Sequence, residues 1–142
     1  MNTADDVLER IKAQGRKLTD TRKQTIELIF SVGRPVSAPE LLLLLAKQGL
    51  EINKTTLYRE LEFLLAQDVL VEVRLDSYVV HYEPASLPHH HHLVCDHCGE
   101  IEEVRSQSVE QSLQALQSEV AGQGFVVERH TLEFYGRCHD CH

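Results

Sequence analysis

The stretch PHHHHLVCDHCGE, residues 88–100, joins four consecutive histidines to two cysteines at C-x-x-C spacing, and Cys138 and Cys141 form a second such pair. All four cysteines of the chain fall in these two pairs. A tight turn lets each pair present two thiolates to one ion, and two such turns complete the tetrahedral sulfur shell that zinc favours. Cys95, Cys98, Cys138 and Cys141 are therefore read as a structural zinc site. A redox dithiol is the competing chemistry, and structural disulfides suit a cytosolic chain poorly. By analogy with zinc-finger peptides, such an ion contributes about 10 kcal/mol or more to folding. The second half of the chain is expected to depend on it.

The histidines are internal and lead directly into apolar Leu93 and Val94, which argues against an affinity tag. In a strand, alternate side chains point to opposite faces. His89 and His91 would then face one way, and His90 and His92 the other, so one short run can serve two sites. Glu72, His81 and Glu83 upstream, and Glu103, Glu110 and His130 downstream, are the donors that neighbouring elements could supply. Imidazoles with one or two carboxylates suit zinc, iron or manganese better than magnesium or calcium. Solvated histidines beside ordinary surface acids are the plain alternative. If a metal joined the upstream donors to His90, His92 and Glu103, it would fix the angle between the two halves of the chain. In a symmetric dimer, that angle sets the spacing of two DNA-reading helices.

The formal charge of −8 is at first sight wrong for a nucleic-acid binder, since phosphates attract clustered Lys and Arg. The distribution of charge along the chain points the other way. Residues 85–142 hold 3 bases and 9 acids, whereas between Arg10 and Lys23 six bases face only Asp20. No run of 18 apolar residues is present, and the acidic start MNTADDVLER is unlike a secretion signal. The chain is expected to be soluble and cytoplasmic, with no membrane partner.

The elements that must position these groups are legible as periodicity. Val7, Leu8 and Ile11 mark a first helix ended by Gly15. Asp20 or Thr21 can cap a second, with Ile26, Ile29 and Phe30 inward, stopped by Gly33 and Pro35. Ser37 and Glu40 have capping-box spacing before a third helix. Asn53 can cap a fourth, whose Leu57, Leu61, Leu64 and Leu65 share an apolar face. VLVEVR, residues 69–74, and YVVHY, residues 78–82, read as a hairpin turning at Leu75, Asp76 and Ser77. Helices followed by a two-stranded wing predict a winged helix-turn-helix, with Lys54, Thr55, Thr56, Tyr58 and Arg59 placed to meet DNA. A solvated helix face is the alternative.

A Pro-bracketed segment, residues 84–88, suggests a hinge. Beyond it, HLVCDHC and EIEEV read as strands, SVEQSLQALQSEVA as an amphipathic helix, and FVVERHTLEFYGRC as one long strand. Val109, Leu113, Leu116 and Val120 form that helix's apolar stripe, expected to pack in the core of a small antiparallel sheet. The fold class predicted is α+β: a winged-helix DNA-binding domain over 1–84 and a small α/β dimerisation and metal-binding domain over 85–142. So short a second domain needs zinc and dimerisation to be stable.

NKTTLYRELEFL, HHHHLVCDHCGEIEEV and RHTLEFYGRCHDC together resemble the ferric-uptake-regulator (Fur) superfamily of bacterial metal-dependent repressors, over nearly the whole chain. The resemblance implies a homodimer that binds double-stranded operator DNA and represses metal-uptake genes. It implies that Tyr58 and Arg59 belong to the reading helix and that Lys17 and Arg22 contact phosphates. It assigns Glu83, His90, His92 and Glu103 to a sensor site, and His89, His91, Glu110 and His130 to a second metal site. Two departures bear on the metal. Pro35 stands where iron-type members often carry histidine, and His91 replaces an aspartate, as in zinc-responsive members. His81 can substitute as a sensor ligand. Zinc is the predicted regulatory ion, with Fe²⁺ as the alternative.

Two other classes compete. His81-Tyr82-Glu83 followed by Cys95-x-x-Cys98 imitates a zinc-deaminase signature. Val94 occupies its proline position, however, and the second cysteine pair would have no role, so no enzyme is predicted. A zinc-stabilised metal-binding adaptor without DNA binding is opposed by the basic 10–23 segment and by Tyr58 and Arg59.

Overall fold

A computed structural model describes residues 3–76 and 78–142. The chain divides into two compact units, the first ending at Pro88 and the second beginning at His89.

The first unit opens with helix α1 (Ala4–Ala13), where the Thr3 hydroxyl caps the Asp6 amide and the Asp6 carboxylate accepts from the Thr3 amide. Helix α2 (Asp20–Val32) is capped by Thr19, one residue before the expected position, and ends at Gly33 in the left-handed conformation, φ 73°. Gly accepts that φ without the Cβ clash other residues suffer. The hydroxyl of Ser37 caps α3 (Ala38–Lys47), and Arg34 holds the Glu40 carboxylate. Asn53 caps α4 (Lys54–Ala66) by accepting from the Thr56 amide at 2.8 Å.

The wing differs in register from the sequence expectation. A two-residue strand β1 (Val36–Ser37) joins β2 (Leu70–Arg74) and β3 (Val80–Pro84) in the order β1-β3-β2, all antiparallel. The second wing strand thus runs over 80–84 and not 78–82. Tyr78 and Val79 are exposed, whereas His81 and Tyr82 find partners on both edges, Ser37 and Val36 on one side and Val73 and Glu72 on the other. Of the predicted turn, Ser77 lies outside the described residues.

Ile11, Ile26, Ile29, Leu41, Leu45, Leu57, Leu61 and Leu64 are fully buried and join the helices into one core. The apolar face of α4 is thereby fixed inward and its opposite face outward. Leu61→Ala is expected to cost about 2–5 kcal/mol through the cavity it leaves. A lowered urea midpoint with an unchanged slope would register that loss.

The second unit contains β4 (His91–Cys95), β5 (Ile101–Val104), α5 (Gln107–Ala121), β6 (Glu133–Gly136) and a short 3₁₀ turn, His139–Cys141. Its sheet order is β5-β4-β6, with β4 and β5 antiparallel but β4 and β6 parallel. The expected all-antiparallel sheet is therefore corrected. Helix α5 acts as a crossover that returns the chain in the direction of β4, and parallel neighbours require such a connection. The long last strand is also shortened, since residues 125–132 have no regular structure.

None of the residues of α5 is buried. Its stripe is half-buried at Val109, Leu113 and Val120 and exposed at Leu116, so within one chain it does not supply the predicted core. The buried residues of this unit are instead Cys95, Ile101, His91 and His92. Donor groups occupy positions that apolar side chains hold in the first unit.

Candidate metal centres and nucleic-acid interface

The two cysteine pairs converge. Cys95 ends β4 and Cys98 lies in the turn closed by the Gly99 amide donating to the Cys95 carbonyl at 2.9 Å. Gly99 has φ 78°, a conformation glycine adopts readily. Parallel pairing of Cys95 with Gly136 brings in the chain just before Cys138. All four sulfurs lie within 4.8 Å of one another, and Cys98 and Cys138 are 3.7 Å apart. Zinc–sulfur bonds of about 2.3 Å at tetrahedral angles place sulfurs about 3.8 Å apart. The donor set therefore fits zinc.

Amides aimed at the sulfur, first that of Cys138 and then that of Cys98, pull the Cys95 thiol down to about 6. The Cys138 thiol is raised, first by its hydrogen bond with Cys141 and then by burial. Unequal thiols are what crowded sulfurs show when one carries the negative charge. A cation would remove the penalty on ionising the rest.

The histidine run separates into two sets, as alternation requires. His89 and His91 have ring centroids 4.8 Å apart, and so do His90 and His92. In the first set His89, His91, Glu110 and His130 bring their ligand atoms within 4.8 Å of one another. His91 Nε2 is 2.6 Å from Glu110 Oε1, and His89 Nε2 is 3.3 Å from Glu110 Oε2. Desolvation pushes the Glu110 carboxyl up, but the His91 hydrogen bond and the charges of His89 and His91 outweigh it and leave the pKa lowered. Glu110 is thus held as a carboxylate.

The Nε2 of His130 is buried with no hydrogen-bond partner among the described residues, while its Nδ1 lies 3.4 Å from the Gln117 amide. A buried imidazole nitrogen without a hydrogen-bond partner, in a histidine grouped with other donors, fits a metal ligand once any proton on it is displaced. Sequence reasoning missed Gln117. Its place two helical turns after Glu110 on the same face of α5 was the available signal.

In the second set, His90 Nε2 and His92 Nε2 are 3.2 Å apart. Two nitrogens bound to one tetrahedral zinc at about 2.0–2.1 Å stand about 3.3 Å apart. Glu103 is the register partner of His92, yet its carboxylate is paired with Arg105. Glu83 is a buried carboxylate on β3. His81, on the same strand, has Nδ1 3.1 Å from the Val79 carbonyl oxygen, and Glu72 is held by Arg74.

On the first unit, Lys54, Thr55, Thr56, Tyr58 and Arg59 are all exposed at the N-terminal end of α4, and Lys17 is exposed before α2. Backbone amides at a helix start, with a cation beside them, favour phosphate. Arg22 is placed differently. Its guanidinium grips Glu60 and lies 3.7 Å from the centroid of Phe63, and its side chain is only 16% exposed.

A winged-helix unit followed by a small α/β unit rich in soft and nitrogen donors defines a metal-responsive DNA-binding regulator. The sequence pattern of the Ferric uptake regulator family matches residues 13–135, and the chain belongs to that family. Its members are transcriptional regulators and not enzymes; they bind operator DNA and act as dimers.

The ferric uptake regulation protein of Neisseria meningitidis is 30% identical over 136 residues, which cover 94% of this chain and 92% of that protein. The structure of the Vibrio cholerae ferric uptake regulator matches with a TM-score of 0.79 at 28% identity, covering 94% of this chain and all of that one. The Helicobacter pylori regulator shares the fold with a TM-score of 0.82 at 24% identity, covering 99% and 94% of the two chains. Among the described residues no helix is long and apolar enough to cross a membrane.

Proposed function

We propose that this chain is a zinc-responsive repressor of metal-uptake genes, acting as a cytoplasmic homodimer on operator DNA. The observation that carries this reading is the His90–His92 pair, whose Nε2 atoms stand 3.2 Å apart at the start of the second unit. A regulatory ion at these histidines, with Glu83 and His81 from the last strand before the division and Glu103 from β5 as further donors, would act where the chain passes from one unit to the next. The Cys95, Cys98, Cys138 and Cys141 quartet holds a permanent zinc, and His89, His91, Glu110 and His130 hold a further ion. Nitrogen-rich donor sets favour zinc by ligand type. The iron reading is favoured by a different observation, that related chains such as those of Neisseria meningitidis and Bacillus subtilis are ferric uptake regulation proteins.

DNA retention by the zinc-loaded quartet form, titrated with buffered free zinc and, without oxygen, with ferrous ion, tests the proposal. Binding that switches on with zinc at very low free concentration supports it, and a response to iron alone overturns the choice of metal. The exposed face of α4 makes its own prediction. Arg59→Ala is expected to weaken operator binding by about 1–3 kcal/mol, the worth of one good base contact, with zinc content unchanged. Unaltered affinity in a binding assay would remove α4 from the interface.

A further inference from the structure

Arg22 is the point at which three parts of the first unit meet. Its Nε donates to Glu60 Oε1 at 2.7 Å and its Nη2 to Glu60 Oε2 at 3.3 Å, a two-pronged pair to a carboxylate whose side chain is 9% exposed. Its guanidinium stacks on Phe63, one turn further along α4. Its Nη1 donates to the carbonyl oxygen of Lys17 at 3.0 Å. Three of its nitrogens are thus committed within the protein, and one ring covers its face. Lys17, by contrast, is exposed, as are Tyr58 and Arg59 on the opposite side of α4 from the core.

We propose that Arg22 acts on DNA indirectly, as a positioning residue that locks the Lys17 segment to the reading helix α4 through Glu60 and Phe63. The proposal rests on the proposed function, in which this unit grips DNA through Lys17 and α4. A phosphate contact made by Lys17 and base contacts made by Tyr58 and Arg59 are productive together only at one separation. The forked guanidinium sets that separation because its donors have fixed geometry, which the single ammonium of lysine lacks. Glu60 belongs to the same device. It is a buried acid on the helix that meets DNA, and left without Arg22 it would repel the phosphates.

Operator binding by Arg22→Lys, Arg22→Gln, Glu60→Gln and the double variant Arg22→Gln/Glu60→Gln separates the two roles. All are compared with wild type well below their melting temperatures, with folding confirmed by circular dichroism. A positioning role predicts that Arg22→Lys and Glu60→Gln each weaken binding about tenfold, with the double variant no worse than either, because contacting residues lose one shared interaction. The dependence of binding on salt should keep its slope. A direct phosphate contact predicts the reverse. Arg22→Lys would bind nearly as wild type, Glu60→Gln would bind as well or better, and Arg22→Gln would lower the salt slope by about 0.9. Either half of that pattern overturns the proposal.

The wild-type protein supplies a measurement that needs no variant to fold. The Arg22 Nε–H proton should exchange slowly with solvent in the free protein and keep its resonance when operator is added. Fast exchange in the free protein, or a large shift on binding, would also overturn the proposal. If the wild type fails to bind any operator, the repressor reading falls, while the exchange rate still decides whether the clamp exists.

Discussion

Cys98→Ser is expected to unfold the second unit while the first keeps its cooperative transition, and stripping zinc with a strong chelator should do the same to the wild type. The asymmetry follows from what each unit buries. The first has a continuous core of isoleucines and leucines contributed by four helices. The second buries only Cys95 and Ile101 among apolar side chains, together with His91 and His92, and none of α5. A structural zinc supplies about 10–16 kcal/mol of binding free energy, comparable with the about 5–15 kcal/mol that stabilises an ordinary domain. No apolar contact in the second unit can replace that.

Limited proteolysis should show fast cleavage beyond His89 in the variant and protection restored in the wild type by re-added zinc. The effect has a pH sign. Zinc must displace protons from thiols, and Cys138 and Cys141 hold theirs tightly without it. Affinity therefore falls as pH falls, and unfolding in acid should precede that of the first unit. A Cys98→Ser protein that retains both zinc and a protease-resistant second unit would refute the structural assignment.

What the sequence made legible were patterns repeated along one element. The split of four histidines into His89 with His91 and His90 with His92 follows the two-residue period, although β4 begins only at His91 and His89 lies in a bend before it. The inward face of α4 needed only the spacing of Leu57, Leu61 and Leu64. Caps at Ser37 and Asn53 follow from local hydrogen bonding, and the Asp20 or Thr21 cap missed by one residue because Thr19 has the same chemistry.

Relations between distant segments were hidden. Nothing local in FVVERHTLEFYGRC distinguishes a parallel β6 from an antiparallel one, since direction is set by the crossover through α5. The stripe from Val109 to Val120 carries the signature of a core helix whether its cover comes from the same chain or another. Glu60, between Arg59 and Leu61, carries no local sign of its burial, which goes with its pairing to the distant Arg22. Glu103 shows the converse, because its register partner is His92 as the strand pattern allows, yet the neighbouring Arg105 takes its carboxylate.

His90→Ala is the change expected to affect regulation most. The metal-dependent gain in operator affinity should disappear, while the cysteine-bound zinc, the dimer and the weak binding of the metal-free form remain. Turning a population from 1:99 to 99:1 in favour of a binding-competent arrangement requires about 5.5 kcal/mol of preferential metal binding. That preference must come from ligands whose mutual positions differ between the two arrangements. His90 and His92 open the second unit, and in the proposed site the difference would lie between them and donors that precede the division, Glu83 and His81.

Removing one of two nitrogens 3.2 Å apart breaks the pair that anchors the proposed ion, and the donors left hold it less well against buffered metal. A gain of about 100-fold in DNA affinity should then shrink to within a few-fold of unity. Linkage supplies a second readout, since operator DNA must tighten the regulatory metal in the wild type by the same factor that the metal tightens DNA. His90→Ala should abolish that reciprocal effect. His89→Ala is the control, because it removes a ligand from the cluster with Glu110 and His130 and leaves the His90–His92 pair whole. If His89→Ala destroys the metal response and His90→Ala preserves it, regulation belongs to the Glu110 cluster. If His90→Ala dissociates the dimer instead, the pair is structural, and the sensing role assigned to it is wrong.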